Sequence, residues 1–466
     1  MKQLRTNIGL LALGIILFSS CRKKDALVVA ENFVVFETSA QGITAAENTI
    51  TIKLKLQNAT ATEVPIVLNL TDQGVVYATD YTTLPAAVSG KINLSIPSGN
   101  NEVSIKLTKV PGVTFDGDEK IVFDILSSVA PVFIGVTKQF TLSFGELVST
   151  DATQTIRGGG ATYGNKVFID LSANRQTAVL RTNWDLNFYN GSDDFRVTLN
   201  SSLNMMTKQI NKTDLNAVTA ADTVGFGSDV AFNQANPAIT QLPYVDYPTG
   251  DLARTAIAAI SATASDNKVY ILNRGNGIGI GAAGRGWKKI RIIRSANAGY
   301  TLQYADIAAT TFTSIDIAKS DVTYFKQFSF ENAVVNVEPS KTKWDFTWTY
   351  FVNVTNFGNG EVPYLFQDVI LINRGVQVLK VLTATKPFAD FAEADLAVQT
   401  FSPLQNAIAT DWRSGGGPGA SPAIRTDRYY IIKDADNNYY KIRFTALTQN
   451  GERGYPAYEA ILVKKG

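Results

Sequence analysis

The pair Trp184-Asp185 returns 160 residues later as Trp344-Asp345, and each copy heads an alternating aromatic run, "TNWDLNFY" and "TKWDFTWTY". The same interval separates "KVYIL" at Lys268 from "RYYII" at Arg428. A loop and a basic strand follow each time, Lys289-Ile290-Arg291 and Lys441-Ile442-Arg443. Each copy also carries a strand ending in Asn, "FRVTLN" (Asn200) and "DVILIN" (Asn373), and closes on a tyrosine strand, "YTLQYADI" and "YPAYEAIL". Landmarks kept in one order, with spacing shared by two pairs, mark a tandem duplication with halves 149–320 and 325–466. This feature constrains the fold most, because whatever the first half builds the second must be able to build again. Short alternating runs of Val, Ile, Thr, Tyr and Phe, broken by Gly, Asn and Asp, make both halves β structure. "FADFAEADLAVQTF" is the best helical candidate, an excursion between strands of the second copy, and "RGGGATYG" at Arg157 reads as linker.

Upstream, "NTITIKLKL", "VPIVLNL", "GKINLSI", "NEVSIKLT", "EKIVFDIL" and "KQFTLSF" alternate between turn signals, the pattern of a β-sandwich over 30–148. The whole mature chain is thus expected to be all-β: a sandwich followed by a duplicated antiparallel region. The order of loop acids resembles a Calx-β-type sandwich. That resemblance implies a calcium candidate at Asp80, Asp116, Asp118 and Glu119, since Ca²⁺ takes several hard oxygen ligands. The plainer role is a spacer between the membrane and the rest. At the start, Lys2 and Arg5 precede the apolar "IGLLALGIILF", which has signal-peptide length and is short for a transmembrane span. "LFSSC" resembles a bacterial lipobox, which makes 1–21 a lipoprotein signal with Cys21 as the lipidated residue. The product is then a cell-envelope protein, tethered by acyl chains and expected at the outer membrane.

The chain has no His and one Cys. Ser-His-Asp and Cys-His catalysis and ordinary zinc sites are therefore excluded. A net charge of +2 gives no field for nucleic acid. Carboxylate-pair hydrolysis stays open and would need two acids converging in one cleft. Asp185 and Asp345 are the tempting pair, but their equivalence under the repeat gives both the same structural role. Each Asp is expected to bond backbone N–H groups, with Trp184 and Trp344 packed in the core. "GIGAAG" (Gly279 to Gly284) matches G-x-G-x-x-G, yet "GWKKIRII" after it reads as a strand rather than the helix a dinucleotide needs. "RSGGGPGASP" lacks the lysine of a phosphate loop. Trp287, Trp348, Tyr350 and Trp412 are the aromatic side chains available to a flat ligand or a sugar.

The landmarks, above all "NKVFIDLSANRQTAVLRTNWDLNFYNGSDDFRVTLNSS" and "TDRYYIIKDADNNYYKIRFTAL", resemble the HmuY family of Bacteroidetes lipoproteins. The resemblance implies an all-β, non-enzymatic binding protein. The type member captures haem for an outer-membrane transporter, so haem as ligand and a TonB-dependent receptor as partner are implied with it. That member holds iron between two His, and this chain has none. Haem iron also accepts Met or Tyr, which leaves Met205 and Met206 as the candidate ligands. As strand neighbours they are expected to point to opposite faces. Surface glycan binding or adhesion through exposed aromatics is the alternative function.

Overall fold

The computed structural model describes residues 31–466 other than 45–46, 112, 114–118, 146–149, 280 and 417–420. The leader with Cys21, and Asp116 and Asp118, lie outside the described residues. The described residues build strands, with only short helical segments of three to six residues between them.

All six alternating stretches of the N-terminal unit are strands, and ten strands form two five-stranded sheets. Thr49–Leu56 shows why: Ile50, Ile52, Leu54 and Leu56 point inward while the residues between them face out or lie half-buried. Phe36, Tyr81, Phe123, Phe140 and Phe144 fill the space between the sheets, each burial contributing roughly 1.5–3 kcal/mol against exposure. Two ion pairs, Glu37 with Arg157 and Glu47 with Arg175, clasp the sandwich to the remainder of the chain.

Beyond the sandwich the chain forms two lobes of matching topology. In the first, a five-stranded sheet runs Met206–Ile210, Val269–Asn273, Trp287–Arg294, Tyr300–Asp306, Thr313–Ile317. It is accompanied by a four-stranded sheet of Val197–Leu199, Leu186–Tyr189, Phe325–Ser329 and Ala333–Val335. The second lobe repeats both orders. Its larger sheet runs Gln377–Leu382, Arg428–Lys433, Tyr439–Gln449, Glu452–Lys464, Asp151–Thr155, and its smaller one Glu361–Ile372, Phe346–Asn356, Asn165–Asp170, Arg175–Leu180.

The lobes do not coincide with the sequence halves. Asp151–Thr155 and the Asn165–Leu180 hairpin precede the first Trp-Asp in the chain but pair with strands that come after the second. The first lobe is continuous from Leu186 to Val335 and is inserted into the second. A boundary drawn near 320 would cut the first lobe before its Phe325–Val335 hairpin, which pairs with Leu186–Tyr189. Two other expectations are corrected. The helical candidate contains only 3₁₀ turns at Glu393–Val398. "RGGGATYG" is part of the second lobe's core: Gly158 lies so close to Trp348 that a Cβ there would stand 2.0 Å from the indole, and Tyr163 stacks on the same ring at 5.4 Å.

Lys289 and Lys441 explain the repeated basic strand. Both are buried, and both spend the ammonium on loop carbonyls of their own lobe: Lys441 on the long connection alone, Lys289 on the long connection at Val218 and on the short loop at Ala309. Lys289 Nζ donates to Val218 at 3.0 Å and Ala309 at 2.6 Å; Lys441 Nζ donates to Phe388 at 2.8 Å and Phe391 at 3.0 Å. Irregular backbone needs such partners for its carbonyls.

Candidate functional site

The chain crosses between lobes twice, at 181–185 and at 336–345, and each crossing ends on a Trp-Asp. Asp185 N–H donates to Phe328 O and Asp345 N–H to Ile169 O, both at 2.7 Å. Asn200 and Asn373 close the two turns alike. Each backbone N–H reaches the Asp carbonyl at 2.8 Å, and each side-chain amide reaches the Trp carbonyl, at 2.9 and 2.8 Å. The carboxylates accept from the backbone as well, Asp185 from Phe330 N–H and Asp345 from Leu171 N–H. The two tryptophans meet in one small core with Phe168 and Val337.

Around this shared seam the carboxylates differ. Arg274 grips Asp185 through two bonds of 3.0 Å and Arg285 adds a third contact at 2.9 Å. The residue after the matching strand in the second lobe is Asp434, not arginine. Burial, followed by the nearby charges of Asp170 and Asp434, holds the Asp345 carboxyl well above the usual range. Asp185 and Asp345 are each fixed in their own lobe, so they do not form the paired acids of a hydrolase.

A cleft of about 120 Å³ opens between the lobes beside the seam. Trp184, Tyr324 and Phe325 line it from the first lobe, and Lys166, Phe351 and Arg374 from the second. Asp246 to Leu252 of the 211–268 connection border it. Three groups here are shifted by burial. Asp246, accepting from Leu199 N–H at 2.6 Å and Ala256 N–H at 3.0 Å, is pushed up to about 7. Glu338, accepting from the Tyr324 and Phe325 N–H groups at 3.3 Å, also rises to about 7. Lys166 is lowered to about 8, with Glu338 opposing the shift. The cleft can hold a small ligand between an apolar wall and a few polar groups, the ordinary form of a binding pocket.

Of the residues singled out in the sequence, Trp184, Trp344 and the landmark residues Asn200 and Asn373 line the cleft; the methionine, aromatic-contact and calcium candidates do not. Met205 and Met206 are fully buried in two separate apolar clusters, one inside the first lobe and the other against Val230, Val245 and Val352. Their opposed directions are as strand geometry dictates, and neither lines the cleft. Trp348 and Trp412 are buried and turn their indole N–H groups to Asp368, at 3.2 Å to its carboxylate and 2.9 Å to its carbonyl. Tyr350 is half-buried between Tyr163 and Arg181, and Trp287 packs half-buried on the Met206 cluster. None of these four aromatics lines the cleft. In the sandwich, Asp80 accepts from Val76 N–H at 2.7 Å to close its own turn. Among the described residues, Glu119 included, no group of three His, Cys, Asp or Glu could hold a metal ion. Lys166, Glu338 and Arg374 escaped the sequence reading. The available signals were the long 211–268 connection, since unusually long loops in compact domains tend to be functional, and the charge that comes after Asn373 but not after Asn200.

The model of the family described as HmuY protein matches residues 162–459. Among solved structures, a protein described as HmuY-like and heme binding, from Bacteroides vulgatus, is similar, with 9% identity, 68% of this chain and 94% of that chain covered, and a TM-score of 0.19. A protein described as carbohydrate binding, from Bacteroides ovatus, shows 9% identity over 93% of this chain and 97% of that one, with a TM-score of 0.17. The apo form of the Calx CBD1 domain shows 17% identity over 24% of this chain and 96% of that one, with a TM-score of 0.21. No curated protein matches the chain.

Proposed function

The chain belongs to the HmuY family, and from that premise we propose that it is a non-enzymatic binding lipoprotein of the cell envelope, anchored through Cys21, that takes a compact ligand into the cleft between its lobes. The observation that carries this reading is the convergence of both Trp-Asp seams on one cavity. The outer membrane is the proposed site of anchoring, and a TonB-dependent receptor the proposed partner for a captured ligand.

Haem does not fit the residues present. The chain has no His, both candidate Met ligands are locked in separate cores, and a cavity of about 120 Å³ does not accept a porphyrin. Titrating haemin into the protein should leave the Soret band at its free position. A shifted band that is lost in Met205→Ala or Met206→Ala would overturn this reading.

One observation favours saccharide binding as a second reading. Phe357, Tyr364 and Phe366 form a ladder with centroid spacings of 5.4 and 4.9 Å near the tip of the hairpin joining Phe346–Asn356 to Glu361–Ile372, and Phe357 is 66% exposed. Glycan arrays comparing the native protein with Phe357→Ala test it: retained signal in the variant, or none in either, removes it.

A further inference from the structure

Resting on the reading of the inter-lobe cleft as the binding site, we propose that its ligand is a compact organic acid whose carboxylate is received by Arg374. Asn373 is held at the seam by the carbonyls of Lys341 and Trp344, at 2.7 and 2.8 Å, so the residue after it projects from a fixed point. The Arg374 guanidinium lies against Tyr189 and Phe325, 5.6 and 5.4 Å from their ring centroids, and donates to Gly250 O at 2.5 Å. That is its one hydrogen bond among the described residues, and none of their carboxylates lies within ion-pair distance of it. Arg274 is neutralised by Asp185 and Glu331, whereas the buried Arg181, away from the cleft wall, spends its donors on the carbonyls of Tyr163 and Ser202. Glu338 and Asp251, also on the cleft wall, act on Arg374 only from beyond ion-pair distance. A half-buried cation with no direct ion pair suits an anion supplied from outside, and the planar fork of arginine suits a carboxylate in particular.

The surroundings narrow the class. Lys166, a second cation on the wall, has no ion pair among the described residues, and its Nζ rests 5.0 Å from the Phe168 ring. Glu338, the acid that acts on it electrostatically, is already engaged by two backbone N–H groups and Gln327. Phe168, Phe325 and Phe351 supply an apolar wall. The Trp344 indole N–H and the Asn373 amide oxygen, both in lining residues, have no partner among the described residues. A space of about 120 Å³ compares with the roughly 150 Å³ apolar cavity that accepts one benzene. One ring, or an acid of similar bulk, is the expected size.

Benzoate is the probe, and benzyl alcohol its uncharged counterpart. Binding is measured by calorimetry and located by ¹⁹F NMR on protein carrying 5-fluorotryptophan, in which Trp184 and Trp344 report the cleft and Trp412 the core. Benzoate should move the Trp184 and Trp344 signals, leave Trp412 in place, and bind at least about tenfold more tightly than benzyl alcohol. Arg374→Gln should weaken benzoate by about tenfold or more and leave benzyl alcohol unaffected, with Arg374→Lys between. Arg374→Lys carries the comparison if the Gln variant does not fold. Equal binding of the two probes, or benzoate binding indifferent to Arg374, would overturn the organic-acid assignment while leaving the cleft as the site. If neither probe moves Trp184 or Trp344, the cleft reading falls with it.

Discussion

Arg274 and Arg285 close on Asp185, whereas the position matching Arg274 in the second lobe is Asp434, so one backbone device is built twice with opposite electrostatics. Asp185→Asn leaves Arg274 and Arg285 with only the half-exposed Glu331 for a counter-ion and should cost up to about 3–5 kcal/mol in urea unfolding. Asp345→Asn keeps an acceptor for Leu171 N–H and should cost little at neutral pH. The pH response carries the sign of the shift. A carboxyl raised in the fold keeps its proton where the unfolded chain has released it, so the native state binds more protons. Stability therefore falls as pH rises above the ordinary value of 3.8 toward the elevated native one, by up to about 1.4 kcal/mol per unit. Asp345→Asn should flatten that decline, and parallel melts across this range check it. The Trp-Asp and Asn landmarks were legible because each is a local hydrogen-bond motif that needs its own residue types. The charge difference was legible only as scattered single residues, since Arg274 and Asp434 become partners of the seam through tertiary folding alone.

At the level of elements, each long connection has a buried ammonium among its anchors, Lys289 at Val218 and Lys441 at Phe388 and Phe391. Lys289→Met removes the donor from two carbonyls and should destabilise the protein by about 2 kcal/mol, since a hydrogen bond to a charged group contributes roughly 1.5–3 kcal/mol. The same change should speed proteolytic cutting within 211–268. Lys441→Met should do so within 383–427. Cleavage-site mapping by mass spectrometry separates the two, and cutting confined to other loops would refute the pinning role. Strand identity was readable throughout because alternation is a local pattern. Strand partnership was not. The Asn165–Leu180 hairpin carries the same period whether it pairs with Leu186–Tyr189 or, as it does, with Phe346–Asn356, and nothing in a period-two pattern names the partner.

For the molecule as a whole, the insertion of one lobe into the other makes the cleft a product of two chain crossings rather than a loop laid on a finished scaffold. The sandwich is held to this body through Arg157 and Arg175, both in the segment that opens the second lobe. The same insertion dictates an order of assembly. Every strand of the first lobe finds its partners within the Leu186–Val335 stretch, but Asp151–Thr155 must wait for Glu452–Lys464, some three hundred residues downstream. Closing so long a loop is slow when the intervening chain is open, and becomes easier once that chain has collapsed into a compact body. The inner lobe should therefore acquire amide protection first and act as the nucleus on which the outer one zips shut. Pulse-labelling hydrogen exchange during refolding would show Val269–Asn273 protected before Tyr439–Gln449, and the reverse order would mean that the oldest contact in the folding pathway spans the ends of the chain.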